Sequence, residues 1–181
     1  HEAIDAYPND RPAQLDLAAA LRPFRQREAE DLQRQAEAMW TPSIPAEADF
    51  GGPRLLGVSF DTGPKTAGSL FDIAYYWTCP PGFPVEDYSV FVHFRQGDEL
   101  FQDDHGLLEE WDVARQVFDE VFVEHRRVEI PAGTAPGSYE LKLGIYHSAP
   151  PNNRLEPHTT LPVSDRAVNI PARIEVLAEP R

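Results

Sequence analysis

The densest group of side chains able to do chemistry is the run Asp103-Asp104-His105. Two carboxylates and an imidazole can hold a divalent cation, through oxygens alone for calcium or with His93 or His125 added for a softer metal. Spacing limits that reading. Side chains alternate faces along a strand, so at most one of Asp103 and Asp104 shares a site with His105. The structural use of such a triplet is simpler: aspartates accept backbone N–H bonds in a turn while His105 caps the loop. Trp111 follows in an irregular, acid-rich stretch. An indole there can stack on the apolar face of a sugar ring while carboxylates bond its hydroxyls, or it can plug one end of the fold. Trp77, inside an apolar strand, reads as core, and His93, beside Phe91, as a packed and hydrogen-bonded residue. The carboxylates Asp103, Asp104, Glu109, Glu110, Asp119 and Glu120 include no pair that spacing singles out for glycoside hydrolysis. Nucleophile-elbow, CxxC and P-loop arrangements are absent. The expected ligand-binding residues are therefore Trp111, Asp103, Asp104 and His105, with no catalytic residue, no metal and no cofactor.

Composition bounds what these residues can serve. The chain has 181 residues, 41% of them hydrophobic, enough for one core and a terminal extension. Thirty acidic against sixteen basic residues give a net charge of −14, which disfavours nucleic acid and anionic lipid as partners. Cys79 is the only cysteine, so no internal disulfide forms. No stretch approaches the roughly 20 apolar residues of a membrane helix. Numbering from His1 suggests a processed product or an excised piece, and removal of a secretory signal would make the protein extracytoplasmic.

Two kinds of segment must position the candidates. Residues 1–40 read as a helical arm: Asp10 caps a first helix ending near Leu21, and Pro23 opens a second reaching Met39. A thin apolar stripe including Phe24, Leu32, Met39 and Trp40 offers one docking seam, onto the chain's own domain or onto a partner protein. Residues 41–53, with three prolines and two glycines, read as a linker. From 54 to 181 the helical period gives way to short apolar runs between Gly and Pro clusters. Strands are expected at 54–60, 70–78, 88–94, 99–102, 120–130, 139–146 and 172–177, with 103–119 irregular. In the third, Tyr88, Val90, Val92 and Phe94 share one face, and Ser89, Phe91 and His93 the other. Such a series predicts an all-β, two-sheet antiparallel sandwich, immunoglobulin-like or jelly-roll, with an N-terminal helical extension.

Four segments carry a resemblance: YSVFVHF at 88–94, QDDH at 102–105 followed by Trp111, PGSYELKLGIY at 136–146, and Arg154-Leu155. Together they resemble a β-sandwich domain appended to bacterial membrane glycosyltransferases and other envelope proteins, similar to a carbohydrate-binding module. The resemblance spans about residues 54–177. It implies a sandwich, an envelope setting, periplasmic or at the cell surface, and no catalytic residue. The chain departs from the pattern at Gly106-Leu107-Leu108-Glu109-Glu110, where a proline-rich turn is expected.

Two functions follow as expectations. One is a non-enzymatic extracytoplasmic accessory module that binds a ligand, a glycan above all. The other is a structural subunit of an envelope or membrane assembly, docking through residues 1–50. A remote third rests on His1: lytic polysaccharide monooxygenases are sandwiches whose first residue, a histidine, chelates copper with a second histidine, a role open here to His93, His105 or His147. Fifty residues of helix and linker before the sandwich argue against it.

Overall fold

The computed structural model describes residues 16, 19, 26–109 and 121–178. They divide into two compact units, residues 1–42 and 43–181.

In the first unit, helix α1 spans Gln26–Met39. Its exposed face is knit by neighbours three and four residues apart, Arg34 with Asp31 and Gln33 Nε2 with Glu37 Oε1 at 2.8 Å. The helix ends where the Thr41 hydroxyl donates to the Glu37 carbonyl at 2.7 Å, satisfying one of the last orphan acceptors. The earlier helix expected before Leu21 lies almost wholly outside the described residues.

The second unit is the predicted two-sheet sandwich. Its strands are β1 (Ile44–Asp49), β2 (Arg54–Phe60), β3 (Lys65–Thr66), β4 (Leu70–Thr78), β5 (Tyr88–Gln96), β6 (Glu99–Gln102), β7 (His105–Gly106), β8 (Val121–Glu129), β9 (Gly137–His147), β10 (Val163–Ser164) and β11 (Ala167–Leu177). The smaller sheet runs β1-β2-β4-β8 and the larger β10-β11-β9-β5-β6, with β7 also on β5 and β3 on β11. Pairing is antiparallel except for β3 with β11.

Alternation sets which residues meet between the sheets. Val90, Val92 and Phe94 of β5 and Leu141, Leu143 and Ile145 of β9 are 0% exposed and face Leu55, Val58, Tyr75 and Trp77 of the smaller sheet. Each such side chain contributes about 1.5–3 kcal/mol on burial. Phe94 stacks on Phe101 at 4.6 Å and meets Phe71 edge-on at 5.6 Å, joining the two layers. Trp77, expected in the core, is there.

The stretch 41–53 is not a linker throughout. Residues 44–49 form edge strand β1, registered on β2 with Ile44 opposite Val58 and Ala48 opposite Leu55. Pro45 fits because an edge strand leaves one row of backbone groups unpaired, and a register shift separates it from Ala48. Ala46, Ala48 and Phe50 point into the core at 1–3% exposure. A second departure lies in the stretch expected to be irregular, where His105-Gly106 pairs with Val90 and Ser89.

Candidate functional site

The outward face of β5 carries Ser89, Phe91, His93 and Arg95, an unusual place for a phenylalanine. Phe91 is nevertheless only 3% exposed. Directly across on β9 stands Gly144, and a Cβ there would come within 2.3 Å of the Phe91 ring and 2.8 Å of the Arg166 carbonyl. The missing side chain lets the ring lie against β9. Arg154 covers the other side, its guanidinium carbon 4.3 Å from the ring centroid.

Arg154 is held by its own supports. Its Nη1 donates to the Asp165 carbonyl at 2.9 Å, and its carbonyl accepts from Arg166 Nη1 at 3.0 Å. Asp165 and Arg166, at φ +52° and +57°, form the two-residue turn between β10 and β11, whose positive φ values suit the twist of a tight hairpin. The next residue, Leu155, anchors the segment by donating its N–H to Ile145 at 2.8 Å.

Around this stack lies a cleft of about 230 Å³ lined by Phe91, His93, Asp104, Tyr146, Asn152 and Arg154. The rings of Tyr146 and His93 stand 6.2 and 5.2 Å from that of Phe91. Asp104 Oδ1 accepts from the Val92 N–H at 3.3 Å and lies 3.8 Å from His93 Nε2. Asn152 is oriented by donating Nδ2 to the Ser148 carbonyl at 3.1 Å. Burial holds the His93 pKa below its ordinary value; Asp104 opposes the shift, while Arg154, Arg95 and Lys142 reinforce it. His93 is thus neutral near pH 7, able to donate and accept one hydrogen bond each. The lining combines a fixed planar cation, a carboxylate, an amide, a neutral imidazole and a phenol. That inventory suits a ligand rich in hydroxyl groups.

Asp103 and Asp104 point to opposite sides, as strand alternation requires. Asp103 and His105 face inward and do not line the cleft. His105, its side chain 1% exposed, places Nδ1 2.8 Å from the Asp103 carbonyl oxygen and Nε2 3.3 Å from Glu124 Oε2. The Asp103 carboxylate reaches Arg126 Nη2 at 3.3 Å and the Tyr75 hydroxyl at 3.5 Å. Burial raises the Tyr75 pKa well above the ordinary phenol value, so it stays a neutral donor. For His105 burial opposes the charge, but Glu124 and Asp103 outweigh it and the pKa rises. The group bridges β7 and β8, the last strand of the smaller sheet among the described residues. Inward charges on an edge strand such as β8 deter pairing with another chain.

The remaining expectations fare variously. Trp111 and Phe24 lie outside the described residues. Leu32 is half-buried, Met39 exposed and Trp40 buried. His93 and His125 lie on outer faces of different sheets, and His147 packs edge-on against Tyr88 at 5.3 Å. With His105 inside the sandwich, His93, His105 and His125 do not meet on one metal, and His1, on which the copper alternative rests, lies outside the described residues. Among the described residues no group of three His, Cys, Asp or Glu side chains is arranged to hold a metal ion.

Sequence reasoning missed Tyr146, Asn152 and Arg154. A signal existed: all four segments that carry the resemblance contribute to this cleft, Phe91 and His93 from the first, Asp104 from the second, Tyr146 from the third and Arg154 from the fourth.

No family model matches the chain, and no curated protein does. Among solved structures it is similar to the C-terminal domain of Wzt, with 14% identity, a TM-score of 0.46, and 77% of this chain and 81% of that one covered. It is also similar to the CARDB domain of the PF1109 protein from Pyrococcus furiosus, solved in complex with di-metal ions, at 11% identity and a TM-score of 0.33, covering 76% and 92%. At these identities the likeness concerns fold alone.

Proposed function

We propose that this chain is a non-catalytic accessory module that binds a glycan on the outer face of its larger sheet, in the extracytoplasmic setting its resemblance implies. One observation carries the reading: Phe91, His93, Asp104, Tyr146 and Arg154, spread over 64 residues, converge on one cleft in which Asp104 and Arg154 are held by backbone partners. At about 230 Å³ it falls below the roughly 300 Å³ where drug-sized pockets begin, which suits a single sugar ring. Tyr146, half-buried, offers a ring for stacking. Asp104 and Arg154 offer an acceptor and a fork of donors for adjacent hydroxyls. Pre-positioning by the Asp165 carbonyl and the Val92 N–H lowers the ordering cost of binding.

The test is a glycan array probed with the wild type, Asp104→Ala and Arg154→Ala, each checked for an intact thermal transition. Binding to at least one polysaccharide that both substitutions abolish supports the proposal. Absence of binding to every glycan, or binding that survives both substitutions, refutes it.

A further inference from the structure

Beside the first cleft, on the same outer face, lies a second of about 390 Å³ with a different charge. Its lining includes Arg95, Lys142 and Arg173 together with Gln96, Ser138 and Glu140. Strand register explains the convergence. Arg95 on β5 sits opposite Glu140 on β9, and Glu140 opposite Arg173 on β11. Lys142 follows Glu140 on the same face of β9, opposite His93, so the His93–Lys142 pair borders both clefts.

Three cations here face one carboxylate. Glu140 is already engaged by Arg173 Nη2 at 2.6 Å. Among the described residues Lys142 Nζ donates to a neutral group, the Ser164 hydroxyl at 3.0 Å, and to no carboxylate. Arg95 has no carboxylate partner among the described residues. Two positive charges are therefore uncompensated within the lining, in a chain whose net charge is −14. Their field reaches the first cleft, since Arg95 and Lys142 both help depress the His93 pKa. Cations grouped in a concave site while the rest of the molecule is acidic focus the potential on that site and draw an anionic group into it.

We infer that the second cleft receives a carboxylate of the same chain of sugars that occupies the first, so that the ligand is an acidic, uronate-bearing polysaccharide. This rests on the glycan-binding reading above. Arg95 supplies a planar fork matched to a carboxylate, and Lys142 a point charge beside it. A polymer lying along β5 from Phe91 toward Gln96 passes from the first cleft, where Asp104 and Arg154 offset each other in charge, to the cationic one within a few residues of strand, at about 3.4 Å per residue.

The experiment is calorimetric titration with alginate and polygalacturonate oligomers, their carboxyl-reduced counterparts, and neutral glucan and mannan oligomers, at 50 and 200 mM salt. The proteins are the wild type, Arg95→Ala/Lys142→Ala, Asp104→Ala, and Arg127→Ala, a cation on the outer face of the other sheet. The expected result is binding of a uronate oligomer, weakened at least tenfold by carboxyl reduction and by the double substitution, abolished by Asp104→Ala and unchanged by Arg127→Ala. Equal binding of reduced and native oligomers, or equal loss with Arg127→Ala, overturns the inference; the first of these leaves the glycan reading standing. Neutral oligomers bound through Asp104 without preference for uronates also overturn the inference alone. Uronate binding lost in the double variant but kept in Asp104→Ala supports the cationic cleft and overturns its sharing of one ligand with the first. Failure of every oligomer to bind overturns both.

Discussion

His105 Nε2 and Glu124 Oε2 face each other 3.3 Å apart across the gap between the two sheets, each without a formed hydrogen bond to any other group. The separation is within ion-pair reach, although the alignment falls short of a hydrogen bond. Both side chains are almost wholly buried, at 1% and 5% exposure. Glu124 is the first charge partner of the His105 ring, with the Asp103 carboxylate 3.5 Å from Nδ1 as the second, so removal of Glu124 leaves the Nε2 side of a buried imidazole without a partner.

A pH dependence follows. The His105 pKa is raised on folding, so the stabilisation from its charge is fully present below the unfolded value of about 6.5 and fades as pH rises through the folded value. Glu124→Gln should cost on the order of 3 kcal/mol at pH 5.5, the range for breaking a buried pair, and less at pH 9. Urea unfolding of both proteins at the two pH values measures this. An equal cost at both would show that the pair carries no charge.

His93 behaves in the opposite sense. Its pKa is depressed, so the folded chain favours neutral imidazole, and this contribution is lost as pH falls below about 6.5 through the folded value. In a proton NMR titration the His93 ring should show a midpoint below 6.5 and the His105 ring one above it. Lys142→Ala should move the His93 midpoint up and Asp104→Asn should move it down.

Gly144→Ala tests the Phe91 stack. The added Cβ would meet the ring at 2.3 Å, so the ring must leave its place over β9 and Arg154 must lose its partner. A stability loss of about 1–3 kcal/mol is expected from overpacking, together with loss of glycan binding. Thermal unfolding and the array read the two effects separately.

Cys79 is 4% exposed, and burial pushes its thiol pKa to about 11. At pH 8 only about one molecule in a thousand then carries a thiolate, the reactive form. A thiol-specific reagent should leave the folded chain unmodified and react fully in urea; rapid reaction without denaturant would contradict the packing around β4.

How far the sequence alone disclosed this arrangement depended on whether the signal was local. Strands β2 and β4 have the expected bounds because Gly and Pro clusters bracket runs of apolar residues, and β6 because the Gly97-Asp98 turn before it and the Asp103-Asp104 pair after it delimit it. The inward set Val90, Val92 and Phe94 was legible from period-two alternation, as was the opposed aim of Asp103 and Asp104. Strand β1 was not, because Pro45 and two alanines at core positions imitate a linker. Phe91 showed only as an apolar residue on a polar face. Its cover, Arg154, lies 63 residues away and is placed by a hairpin turn at Asp165-Arg166, and nothing in the local pattern of either segment records that meeting. The charge on β8 was equally obscure, since Glu124 and Arg126 acquire meaning only opposite His105 and Asp103 on the other sheet.

The most direct measurement of the central claim is a titration of the 15N-labelled chain with the best-bound oligosaccharide, followed by amide chemical shifts. The account predicts saturable shifts concentrated at Phe91, His93, Asp104, Tyr146 and Arg154, extending to Arg95 and Lys142 when the oligomer carries uronates. Saturable shifts centred on the outer face of the smaller sheet, around Asp72 and Arg127, or no saturable shift at all, would contradict it.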